Sequence, residues 1–104
     1  MKLWLDDTRK PPDDSWYWCF DVEDAKDLLF NESVTEQSLD HDLGPGNSDA
    51  LTLVVWEHDH GKVPLLTIVH SWNKAGADRI VAFLHQHHYH AIVEPDPRPP
   101  SEDQ

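Results

Sequence analysis

Short apolar runs alternate with segments of helical periodicity along the whole chain. Lys2 to Leu5 is a first apolar run and stops at Asp6-Asp7. Trp16 to Phe20 (WYWCF) is aromatic and strand-prone. Asp21 to Phe30 reads as a helix: Asp21 is placed to cap it, Asp24 sits three residues on, and Val22, Ala25, Leu28 and Leu29 share one face. Thr35 to Leu39 is a third strand, ending at Asp40-His41-Asp42. Ser48 is placed to cap a helix reaching Asp59, with Leu51, Val54, Val55 and His58 on one side and Gly61 as its stop. Leu65 to Val69 (LLTIV) carries the strongest buried-strand pattern and ends at His70-Ser71. Asn73 to His87 is the clearest helix, with Ala77, Ile80, Val81 and Leu84 at amphipathic spacing. Tyr89 to Val93 is the last strand.

Strands alternating with helices predict an α/β domain built on a parallel sheet covered on both faces. Ligands of such sheets bind at the carboxyl ends of the strands. Polar residues gather at three of those ends, Asp6-Asp7, Asp40-His41-Asp42 and His70-Ser71. One link departs from the plan. Asp7 to Ser15, with Pro11-Pro12 inside it, is shorter than the roughly dozen residues and helix of a usual parallel crossover. The expectation is that this helix is lost or very short and an extended segment crosses instead.

Composition narrows the function. The chain has 104 residues, enough for one domain, taken as residues 1–95. The acidic tail from 96 to 104 is rich in proline and expected to be extended or mobile. With 8 Lys+Arg against 20 Asp+Glu the net charge is −12, which argues against binding long duplex nucleic acid. The 38% hydrophobic content and 5 Trp argue against a disordered acidic chain. The single Cys19, between Trp18 and Phe20, reads as a buried strand residue. No signal peptide or membrane span is recognised, so a soluble, cytoplasmic protein without a membrane partner is expected, as a monomer or weak homodimer.

Three groups of residues carry candidate chemistry. Asp6, Asp7 and Asp40 would repel one another at adjacent strand ends unless a cation lies between them, and oxygen ligands of this kind suit Mg²⁺ or Mn²⁺. Solvated loop acids are the plainer alternative. His41 and His70 each follow a buried strand and sit beside a polar partner, Asp42 and Ser71. They suit general acid and base roles, or a loop-structuring role, or softer metal ligation together with Asp42. Arg9, Asn73 and Lys74 lie close in sequence to these groups and are candidates for holding a phosphate. Trp72 is open to stacking on a base or to burial. Gly44-Pro45-Gly46 lacks the spacing and lysine of a phosphate-binding P-loop. The run His85, His87, His88 and His90 reads as a polar helix end, and His58 and His60 as surface residues.

The strings KLWLDDTR, SLDHDLG and VHSWN together resemble the cyclic-phosphate-processing receiver domains, divergent relatives of the response-regulator receiver. The resemblance runs over about residues 1 to 95. It implies a flavodoxin-like, doubly wound five-stranded parallel sheet of order 2-1-3-4-5. In ordinary receivers an acidic pair and a third Asp bind Mg²⁺ and the third Asp accepts a phosphoryl group; Asp6, Asp7 and Asp40 match these places. The receiver Ser/Thr matches Ser71, or His70 in a register shifted by one. The receiver Lys before Pro is replaced by Glu94 before Pro95, which weighs against phosphoryl signalling. His41 and His70 fit processing of a cyclic phosphate on a nucleotide or RNA end, with a divalent metal as cofactor. The alternatives are a phospho-accepting receiver with Asp40 as acceptor and a non-catalytic module that binds or inhibits a nucleotide or protein.

Overall fold

The computed structural model of the chain describes residues 1–43, 48–71 and 73–94. Its elements run β1 (Lys2–Leu5), β2 (Trp16–Cys19), α1 (Val22–Asn31), β3 (Glu36–Leu39), α2 (Ala50–Asp59), β4 (Leu66–Val69), α3 (Lys74–Gln86) and β5 (Ala91–Val93). All four strand pairings are parallel, and the sheet order is β2-β1-β3-β4-β5. This is the flavodoxin-like order. The loop Gly44-Pro45-Gly46, Trp72 and the tail from 95 onward lie outside the described residues.

Each helix begins where a short polar side chain satisfies an orphan backbone N–H. Asp21 accepts from Asp24 N, Asp49 from Thr52 N and Asn73 from Gly76 N. Such caps contribute about 1 kcal/mol each. The start of α2 corrects the sequence reading by one residue: Asp49, not Ser48, is the cap.

The chain direction fixes where the helices go. The crossovers through α1, α2 and α3 all step the same way across the sheet, from β2 to β3, β3 to β4 and β4 to β5. Parallel crossovers share one hand, so all three helices lie on one face. There Leu3, Leu5, Cys19, Leu39, Val69 and Ala91 join Val22, Ala25, Leu28, Leu53, Ile80 and Leu84 in a single core. Cys19 is fully buried in it, as expected, and burial pushes its thiol up to about 12.

The step from β1 to β2 runs the opposite way, and its crossover belongs on the other face. No helix is formed there; residues 6–15 make an irregular strap of bends and turns. Two indoles hold it. Trp4 Nε1 donates to Arg9 O (2.7 Å) and Trp18 Nε1 donates to Asp6 O (2.8 Å). The lost first helix is as expected: among the described residues, the second face carries the strap and no helix. Trp4 is nearly buried there, whereas Ile92 is half exposed.

Helix α2 departs from the expected face. Its buried residues are Ala50, Leu53, Val54 and Glu57, while Val55 is exposed. The run LTLVVW is apolar nearly all round, so periodicity alone does not orient it. His58 is half-buried, bonded to the Tyr89 hydroxyl (2.9 Å) and packed on His87.

Glu57 is fully buried. Its Oε1 accepts from Gln37 Nε2 (2.7 Å), which also donates to Thr67 Oγ1 (2.9 Å). Glu57 Oε2 and Gln37 Oε1 have no hydrogen-bond partner. Protonating Glu57 turns an orphaned acceptor into a donor and removes a buried charge. Burial therefore pushes Glu57 up to about 8, against the lowering effect of the Gln37 bond. A raised folded-state pKa means its stabilising contribution is whole below the ordinary value of 4.5 and is lost as the pH rises through about 8. At about 1.4 kcal/mol per unit of pKa shift, Glu57→Gln is expected to gain a few kcal/mol relative to wild type between pH 4.5 and pH 8.5. Urea unfolding of both proteins at the two pH values measures this; a difference that does not change with pH would contradict the assignment.

Candidate functional site

Four residues continue the parallel ladder one step past the strands. Asp6 N donates to Cys19 O (3.1 Å), Asp40 N to Leu5 O (2.9 Å), His70 N to Leu39 O (2.9 Å) and Glu94 N to Val69 O (2.9 Å). The carboxyl ends of β1, β3, β4 and β5 thus present Asp6, Asp40, His70 and Glu94 at one level. Residues far apart in sequence become neighbours through register.

Asp6 is almost wholly buried, and each of its polar atoms is used. Oδ1 accepts from the backbone N–H groups of Thr8 and Arg9 (2.9 Å each), which turns the chain into the strap. Oδ2 lies 3.1 Å from His70 Nε2. Burial works to raise its pKa, but these bonds and the nearby imidazole outweigh it and hold Asp6 below the ordinary carboxylate value.

Asp7 and Asp40 complete an acidic cluster. Asp6, Asp7 and Asp40 each offer a carboxylate oxygen within 4.8 Å of the others, the only such group of three or more metal-binding side chains among the described residues. Asp40 is pushed up to about 7, first by burial and then by the charge of Asp6, with a smaller push from Asp7. A hydrogen bond from Ser71 and one from the Asp42 backbone work the other way. Crowded carboxylates of this kind form a hard, all-oxygen donor set that fits Mg²⁺ or Mn²⁺. A cation there would offset the repulsion that raises Asp40.

His70 is held on three sides. Its ring stacks on Trp4 with centroids 3.9 Å apart and planes 10° from parallel. Nδ1 lies 2.6 Å from Ser38 Oγ, and Nε2 faces Asp6. With the Nε2–H tautomer, the imidazole donates to Asp6 and accepts from Ser38, and no polar atom is left over. Trp4 and Ser38 are adjacent in the β1–β3 register, on the face opposite the helices.

His41 occupies different surroundings, between the starts of α2 and α3. Its Nδ1 lies 2.7 Å from Asp42 Oδ1, and its Nε2 is 3.5 Å from Asp49 Oδ2 without a hydrogen bond. Asn73 Nδ2 donates to Asp42 Oδ1 (3.3 Å). The ring is seated against Gly76, where a Cβ would come within 2.6 Å of it. Gly76 thus makes room for the imidazole, although glycine weakens a helix by up to about 1 kcal/mol relative to alanine.

The remaining candidates sort by placement. Ser71 joins the cluster through Asp40. Arg9 joins through its backbone N–H to Asp6. The Lys74 ammonium is exposed and paired with Asp78 at 3.3 Å, and the Asn73 side-chain oxygen caps α3. His85 Nε2 bonds the Ala91 carbonyl (2.8 Å), in keeping with a polar helix end. Trp4, Ser38, Asp49 and Gly76 were not among the candidates. The first two could have been found only from strand register, and the last two only from the close approach of loop and helix.

Comparison with curated proteins and with solved structures finds no significant match. Comparison with family profiles finds the Cyclic-phosphate processing Receiver domain, matched over residues 1–86. That span contains both crossovers leading to the acidic cluster, the cluster itself and both strand-end imidazoles. With the parallel order β2-β1-β3-β4-β5 behind it, this chain belongs to the cyclic-phosphate processing receiver domain family.

Proposed function

We propose that the protein is a metal-assisted phosphoesterase that opens cyclic phosphodiesters on small nucleotides or RNA ends. One observation carries the reading: three carboxylates lie within 4.8 Å of one another, with an imidazole nitrogen 3.1 Å from one of them. Asp6, Asp7 and Asp40 would hold the divalent ion, which when bound would supply Lewis-acid polarisation of a phosphate oxygen. The chain's own residues do the rest.

Opening a cyclic phosphodiester by water forms one P–O bond and breaks another. The attacking water loses a proton and the departing ribose oxygen gains one. His70 is the imidazole beside the acidic cluster, and the proton transfer falls to its Nε2 once that nitrogen exchanges Asp6 for the reacting oxygen. Trp4 and Ser38 fix its plane, and Asp6 sets which nitrogen carries the proton. Ser71, bonded to Asp40, would orient a phosphate oxygen, and Arg9 would offset its charge. His41, paired with Asp42 and seated against the starts of α2 and α3, would position the residues that follow β3 rather than carry the proton.

The alternative with Asp40 as phosphoryl acceptor uses the same carboxylates. Glu94 stands where a receiver lysine would neutralise the acyl phosphate, and this favours hydrolysis over storage of a phosphoryl group.

Two outcomes are expected. In the absence of divalent ions, Asp40→Asn melts at a higher temperature than wild type because a crowded charge is gone; Mg²⁺ raises the melting temperature of wild type but not of the variant. Equal Mg²⁺ shifts in both proteins would remove the metal site. The second concerns turnover, read by mass on 2′,3′-cyclic nucleotides, 3′,5′-cyclic nucleotides and RNA with a cyclic-phosphate end. Wild type turns over with Mg²⁺ or Mn²⁺ and not with chelator, and His70→Ala loses on the order of 10²- to 10⁴-fold in kcat. Absence of turnover by folded, metal-loaded protein would overturn the enzymatic reading. A phosphate adduct from a small phosphodonor, lost in Asp40→Asn, would replace it with the signalling one.

A further inference from the structure

Strand β2 lies at the edge of the sheet, and its outer side pairs with no strand among the described residues. Edge strands of soluble proteins are usually blunted by lysine, proline or a bulge. This one reads Trp16-Tyr17-Trp18-Cys19 and carries none of these. Instead, a groove of about 620 Å³ opens between it and α1. Tyr17, Phe20 and Leu28 give the groove an apolar floor, and Asp24, Asp27 and Glu32 line it with charge. Tyr17 is 55% exposed and Phe20 50% exposed.

The groove's side-chain charges are of one sign, and the Met1 ammonium at its border is turned to the Ser33 carbonyl at 3.3 Å. No Lys or Arg lines it, and none of its three carboxylates is in an ion pair among the described residues. Lys26, the cation of α1, is turned to Glu23. The last turn of α1 carries no basic residue, so the negative end of the helix dipole adds to the same field. A second copy of this chain, at −12, would be repelled from it.

We propose that this groove docks an extended basic segment of another protein, added as a sixth strand to the free edge of β2. Main-chain hydrogen bonds to the edge would give the pairing, and side chains alternating along the segment would divide between two surroundings. Apolar ones would cover Tyr17 and Phe20. Lysines or arginines would reach Asp24, Asp27 and Glu32. The site lies on the opposite sheet edge from β5 and does not depend on the chemistry proposed for the acidic cluster.

The probe is a capped heptapeptide of alternating lysine and valine, titrated against the full chain at 0.15 M salt, where attraction between distant charges is screened. Binding is read by calorimetry and by tryptophan fluorescence. Saturable one-to-one binding is expected, weakened at least tenfold by Asp24→Asn with Asp27→Asn and by Tyr17→Ser. Asp78→Asn with Glu94→Gln, on α3 and after β5, is expected to change it less than twofold. A glutamate-valine peptide is expected not to bind. Circular dichroism and a thermal melt of each variant confirm folding. The proposal is overturned if the two double variants weaken binding equally, because the attraction is then one of net charge. It is also overturned if the glutamate peptide binds as well, or if sedimentation shows self-association through β2 that Tyr17→Ser abolishes.

Discussion

Asp6 joins the two halves of this structure. Its backbone carbonyl holds Trp18, its Oδ1 holds the turn that begins the strap, and its Oδ2 faces His70. Without the first two contacts the link from β1 to β2 would have no helix and no substitute for one. Without the third, His70 would lose its contact with the acidic cluster. A buried carboxylate is costly unless its oxygens are satisfied, and here the satisfaction is also the architecture. The fold and the site therefore share a residue and not merely a location.

That sharing explains the uneven electrostatics of the cluster. Asp6 is held below the ordinary carboxylate range because donors converge on it, whereas Asp40 is pushed up by burial and by the charge of Asp6. Two acids at neighbouring strand ends thus differ in their readiness to ionise, and the difference comes from their partners. A cation held between them would even it out. The same logic separates the two imidazoles. His70 lies against the sheet and the acidic cluster, and His41 lies in a seat made by the starts of two helices and by Gly76. A pair that looks equivalent along the chain is inequivalent in space.

Most of the framework was legible along the chain because period and capping agree with packing. Asp21, Val22, Ala25, Leu28 and Leu29 are where periodicity puts them. The strand order came from the resemblance carried by LDD, SLDHDLG and VHSWN, and the parallel pairing supports it. The acidic cluster followed from the rule that parallel strand ends converge. What was hidden depended on three-dimensional register. Nothing local marks Ser38 as the partner of His70, since the bond joins two strands through their lateral alignment. Nor does local sequence mark Glu57 as buried: α2 is apolar on most sides, so one acid could be turned inward without breaking a visible pattern. The one-sided helix layer was obscured for a similar reason. Alternation of strands and helices gives their order, and the face follows only when the direction of each crossover is known.

The strap also bears on how the chain reaches this arrangement. Closing a loop costs more entropy the longer it is, by about 0.6 kcal/mol per doubling. Residues 6–15 make the shortest connection between paired parallel strands in the sheet; β3, β4 and β5 each wait on a stretch that includes a whole helix. The pairing of β1 with β2 is therefore the least demanding to close, and closing it brings Trp18 to the carbonyl of Asp6. In assembly as in the finished molecule, the carboxylate at the heart of the cluster can be set in place before the strands that bring it Asp40 and His70.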